Sequence, residues 1–169
     1  MTRIDPAALE VIAHTPGVLR ALLAGLPSDV VLRPNDEGWS LKDIVAHLYD
    51  VESAAFIERI QRMLDEERPF IRSIDPPARL AAGGYASRGL DELLNELAEM
   101  RAEHVEWLRG LSAADLARQG QHDEVGQIGV LDIIHQWPAH DLSHLRQVAL
   151  MLQQHFAPLM GATRGFYDV

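Results

Sequence analysis

Four long stretches of this chain repeat apolar residues at intervals of three and four, and that spacing is the strongest constraint on its fold. Side chains so spaced share one face only on a helix, whereas a half-buried strand alternates strictly. No convincing strand pair stands out, so the expected class is all-α, as a single domain over residues 1–169. The first stretch runs from Pro6 to Leu26, with Leu9, Ile12, Ala13, Leu19, Leu22, Leu23 and Leu26 on its apolar side. Asp5 and Pro6 make a capped start, and Pro16–Gly17 predicts a kink midway. The second begins at Ser40, an N-cap whose partner Asp43 approximates a capping box, with Trp39 and Ile44 placed as a hydrophobic staple. It continues through His47, Leu48, Val51, Ala55 and Met63 until Pro69 ends it. The third covers Leu90 to Leu108, with Leu93, Leu94, Leu97, Met100, His104 and Val105 inward. The fourth covers Gly129 to His155, with Leu131, Ile134, Leu145, Val148 and Leu152 inward. Pro138 there denies the Ile134 carbonyl its helical donor and predicts a second kink.

The connections refine the topology. Arg68 to Gly89 carries three prolines and three glycines and is long for a simple loop. A crossover joining helices that are not direct neighbours needs such a length, which points to a four-helix bundle with a long crossover between helices 2 and 3. Ser112 to Gly126 reads as a connection with one short turn near Ala114, and the chain after Pro158 as loosely ordered.

Charge narrows the function. Fifteen basic residues stand against twenty-five acidic ones, a formal net charge of −10. Such a surface repels phosphate backbones and anionic bilayers, so neither nucleic acid nor a membrane is an expected partner. No stretch has the roughly 18 unbroken apolar residues of a membrane span, and Met1 to Glu10 has no apolar signal core. There is no cysteine, which excludes disulfides, thiolate metal sites and a cysteine nucleophile, and fits a cytoplasmic setting.

The histidines carry the chemistry. His140 and His144 are four apart, about 400° of helix, so both rings leave the same side one turn apart. They lie within Trp137-Pro138-Ala139-His140-Asp141-Leu142-Ser143-His144-Leu145-Arg146-Gln147, an apolar helix rather than a charged face. Two buried imidazoles without partners are costly, and a shared cation satisfies one nitrogen of each. A third ligand must come from another helix, and His47, amid Ile44, Val45, Leu48 and Val51, is the best placed. Standing alone, it would read as a core histidine bonded to a carbonyl. Gln136 and Gln147 are spaced to orient the pair through the far ring nitrogens, and Asp50 to do so for His47. Trp137 is placed to wall a pocket or to pack the core. His104 reads as a satisfied core residue, His135 as pointing elsewhere, and His14, His122 and His155 as surface or loop residues.

The elements Leu-Pro at 26–27, Gly38-Trp39-Ser40, His47-Leu48 and Glu52, with the later His140-Asp141-Leu142-Ser143-His144-Leu145-Arg146-Gln147, resemble the DinB-like superfamily. That group includes metal-dependent hydrolases of the YfiT type. The resemblance covers most of the chain. It implies a bundle with a long crossover and a three-histidine metal site falling on His47, His140 and His144. Relatives among thiol-dependent S-transferases and maleylpyruvate isomerases imply a low-molecular-weight thiol as co-substrate. Zinc is the favoured ion, with nickel or iron also suited to imidazole. An ion held by three neutral ligands keeps an open position and can activate water, hold a thiolate or polarise a carbonyl. The readings that compete are a metal-dependent enzyme acting on a small molecule, a non-catalytic metal-binding stress or interaction protein, and a module whose histidines are structural. A homodimer is expected only from the general habit of bundles. Glu52, five residues from His47, should not share its face and is not read as catalytic.

Overall fold

A computed structural model of the chain describes residues 3–167. The outer ends of the expected domain and tail, residues 1–2 and 168–169, lie outside the described residues. Four long helical runs form as the apolar spacing predicts. Helix α1 spans Pro6–Leu23, where Asp5 accepts the Ala7 N–H and Pro6 fills the first turn. It ends three residues earlier than expected and continues through Pro16, and a short α2, Ser28–Val31, follows. Helix α3 spans Leu41–Val51 and starts on a complete capping box: Asp43 N–H donates to the Ser40 hydroxyl and Ser40 N–H to the Asp43 carboxylate. The run then widens into a π-helical stretch, Glu52–Ile57, before α4, Glu58–Asp65. The third run, later in the chain, is α6, Leu90–Arg109, and the fourth is α8, Val130–Phe156, unbroken at Pro138.

The connections contain more structure than the sequence suggests. The crossover holds a two-residue strand β1, Phe70–Ile71, a short α5, Pro76–Ala82, and a 3-10 turn, Tyr85–Ser87. Two side chains of α3 pin it down: Lys42 Nζ donates to the Ala86 and Arg88 carbonyls, and Asp50 accepts from Arg79 and Tyr85. Beyond α6 come α7, Ala113–Leu116, and strands β2, Gln119–His122, and β3, Gly126–Gly129. The expectation of no strand pair is therefore corrected: β2 pairs antiparallel with β3, and β1 joins parallel to β2 with Phe70 opposite Gln121. Glycine makes this closure feasible, since a Cβ on Gly120 would lie 2.9 Å from the Pro69 carbonyl oxygen. The tail after Pro158 is also corrected, from loose chain to 3-10 turns reaching Phe166.

Helices α1 and α3 each pack on both α6 and α8, so α1 lies diagonally from α3 and α6 diagonally from α8. The crossover carries the chain from the second long run to the third, which pack directly through α3 and α6. The core divides into two apolar clusters. One gathers Ile12, Val51, Phe56, Ile60, Val105, Leu108, Ile134 and Trp137; the other gathers Leu19, Leu23, Ile44, Leu48, Leu93, Leu97 and Val148. Between them lies a polar layer. Its centre is Arg101 of α6, only 1 % exposed, on the apolar stripe between Leu97 and Val105. Arg101 donates from Nε to Glu52 (2.6 Å), and from Nη1 to Asp141 of α8 (2.5 Å) and the Ile12 carbonyl of α1 (2.8 Å). Glu52 and Asp141 are fully buried. One guanidinium thus ties all four long runs together.

Two stability outcomes follow. Ser40→Ala should lower unfolding free energy by about 1 kcal/mol in urea titration, because the cap leaves helix donors unsatisfied. Arg101→Met should cost much more, about 3–5 kcal/mol, since it strands two buried carboxylates without their cation.

Candidate metal centre

The α3 capping box sets where that helix begins, and His47 lies two turns in. Its ring is buried and meets the rings of His140 and His144 from α8 at centroid distances of 5.2 and 4.7 Å; the two α8 rings are 4.6 Å apart. Their nitrogens converge. His47 Nε2 is 3.2 Å from His140 Nε2, and one nitrogen of each of the three rings lies within 4.8 Å of the others. Two nitrogens bound at about 2.05 Å to one tetrahedral ion are about 3.3 Å apart, so the observed pair is spaced as neighbouring ligands would be. Among the described residues this is the one group of three metal-type side chains so arranged.

The surroundings keep the rings uncharged. Burial lowers the His47 pKa from 6.5 to about 4, helped by the neighbouring His144 and opposed by Asp50. Burial lowers that of His140 to about 3, with His144, His47 and the Arg101 charge adding to the effect. His144 is also lowered by burial, against a hydrogen bond to Gln147 that favours its charged form. At neutral pH, three unprotonated lone pairs are available, the state that coordination requires. Gln147 Oε1 lies 3.0 Å from His144 Nδ1 and can only accept, which puts the His144 proton on Nδ1 and its lone pair on Nε2. His140 Nδ1 is buried without a hydrogen-bond partner among the described residues. A cation sharing the three lone pairs would relieve the contact between the two Nε2 atoms, so the residues present fit a metal ion.

Aromatic rings flank two of the three histidines. Trp39 meets His47 edge-on at 5.1 Å, and Phe56 meets His140 at 5.3 Å. Phe56 reaches that place from the π-helical stretch and stacks on Trp137, 4.8 Å away with planes 9° apart. Trp137 is thus core packing behind Phe56. A groove of about 420 Å³ runs between the Asn35–Glu37 turn and α8; Gln147, the partner of His144, lines it, and none of the three histidines does.

The other expected residues go elsewhere. Asp50 does not bond His47; Arg79 Nε at 2.6 Å and the Tyr85 hydroxyl at 2.8 Å take its oxygens. Burial opposes its ionisation, yet those partners hold its carboxyl below the usual value. Gln136 is exposed and lines a separate surface groove with Arg59 and His122. His135 accepts the Asp5 N–H, away from the cluster. His122 is buried in β2, against the expectation of a loop residue. His104 is satisfied by Glu52, with Nδ1 2.8 Å from Oε1. The residues missed were Arg101 and Asp141. Both interrupt an apolar stripe with a charge, the one signal in the sequence that could have marked them.

Comparison with known proteins agrees with this architecture. The DinB superfamily model matches residues 12–148. Among solved structures, YfiT from Bacillus subtilis, described as a probable metal-dependent hydrolase with an unusual four-helix bundle topology, superposes with a TM-score of 0.81. It is 20% identical, over 92% of this chain and 91% of that one. No curated protein matches the chain in sequence. No helix among the described residues is long and apolar enough to cross a membrane. With most of its length matched, and with a bundle, crossover and histidine cluster in place, the chain belongs to the DinB superfamily.

Proposed function

We propose that this protein binds one divalent metal ion through His47, His140 and His144 and uses it as an enzyme on a small molecule, by hydrolysis or thiol-dependent transfer. The observation that carries this reading is the convergence of three imidazole nitrogens within 4.8 Å, in surroundings that hold the rings neutral. The description of YfiT as a probable metal-dependent hydrolase supports the same class of chemistry. When bound, the ion would supply Lewis acidity at a coordination position that three protein ligands leave free.

The chain's own residues divide the remaining work. Gln147 fixes the His144 tautomer, as a carbonyl partner does for a metal-binding histidine. Trp39 packs against the His47 ring and Phe56 against the His140 ring, which restrains the orientation of both imidazoles. The groove beside Gln147 has the size of a small-molecule site. A thiol, if one takes part, comes from a co-substrate, because the chain has no cysteine. Zinc is the favoured ion, with nickel and iron compatible with the imidazole set.

Metal analysis of tag-free protein should find about one ion per chain in the wild type and near none in His144→Ala. Equal and negligible metal in both would remove the reading. A titration of stability against pH tests the surroundings independently. His47 and His140 have folded pKa values of about 4 and about 3, below the ordinary 6.5, so the unfolded chain takes up protons first as pH falls. Metal-free protein should keep its full stability above pH 6.5 and lose it progressively from 6.5 towards about 3. In urea unfolding, His140→Gln should flatten that slope. A wild-type profile no steeper than the variant's would contradict the buried neutral imidazoles.

A further inference from the structure

We propose that Arg101 is a positioning residue for the histidine cluster, setting the register between the helical run that carries His47 and the helix that carries His140 and His144. Its metal-affinity test rests on the function proposed above; its geometric test does not. The two carboxylates held by Arg101 sit on the two cluster-bearing runs. Glu52 follows His47 by five residues on a continuous helical path, and Asp141 directly follows His140. The guanidinium is planar and rigid, so carboxylates bound at 2.6 and 2.5 Å to different nitrogens are held at a set separation and angle. A third bond, to the Ile12 carbonyl, and the Trp137 ring with its centre 5.0 Å from the guanidinium carbon stop the fork from turning. Sliding or rotating α8 against α3 would break a charged hydrogen bond in a site with no access to solvent.

The π-helical stretch supports the same role. It begins at Glu52, where the helical path widens, and a local widening of this kind re-aims the side chains around it. Here Glu52, at its start, faces Arg101 in the bundle centre, and Phe56, within the widened turns, faces His140. Apolar side chains of similar volume could fill the same space at no loss of stability. What they could not do is define one register between the two runs.

The experiment separates register from stability. The triple variant Glu52→Met, Arg101→Met, Asp141→Leu removes every charge of the trio while keeping volume, and Arg101→Lys keeps the cation but loses the fork. Each is examined for thermal unfolding, for cobalt(II) affinity and absorption spectrum, and by a crystal structure without metal. The expected result is a cooperative fold, cobalt(II) affinity lowered about 10- to 100-fold, an altered spectrum, and a His47–His140 Nε2 separation moved from 3.2 Å. A folded variant with wild-type affinity, spectrum and separation overturns the proposal. Should the triple variant not fold, the lysine variant is judged by the same measures. If wild-type protein takes no cobalt(II), the metal reading fails, and the separation in the metal-free crystals alone decides whether Arg101 positions the rings.

Discussion

A single charge buried at the middle of a helical bundle is the constraint on which the rest of this structure depends. Removing a guanidinium from water is costly, and the cost is met only if carboxylates and a carbonyl arrive at its nitrogens in the right directions. Arg101 draws those acceptors from three different helical runs. Many packings of Leu, Ile and Val would bury similar apolar area, but few also deliver Glu52, Asp141 and the Ile12 carbonyl to one point. The polar layer therefore selects among arrangements that the hydrophobic effect alone would leave nearly equal.

The histidine cluster lies in the same layer, flanked by the two apolar clusters. Each cluster packs its own part of the helices, and together they hold the α3 and α8 rings within contact of one another. Burial has opposite consequences for the two polar groups. Arg101 stays charged because its acids raise its affinity for the proton against the pull of burial. The imidazoles have no carboxylate bonded to them and give up their protons instead. A layer made of one paired charge network and one set of neutral imidazoles is how this bundle keeps polar atoms inside without filling its centre with competing cations.

Much of this was legible in the chain itself. Helix positions follow from spacing, the start of α3 from Ser40 and Asp43, and the pairing of His140 with His144 from helical pitch. His47 could be singled out because a histidine stood among four apolar neighbours. What could not be read depends on partners distant in sequence. Asp50 looks like a companion for His47 until Arg79, from the crossover, takes it. Arg101, with Glu99 and Glu103 close by, reads as a surface cation, although its place between Leu97 and Val105 lies on the buried stripe. The strands were invisible because Gln119–His122 and Gly126–Gly129 hold, apart from Ile128, no β-forming residue, and their pairing is supplied by the packing around Pro69 and Gly120.

The separation of His47 from His140 along the chain has a consequence for biosynthesis. His140 follows His47 by ninety-three positions, and of the four long runs α8 is the last to be synthesised. No earlier fragment holds more than one of the three rings, so a nascent chain cannot seize an ion prematurely through this cluster. An ion held by all three rings would have to wait until α8 has been made and has docked against the run that carries His47.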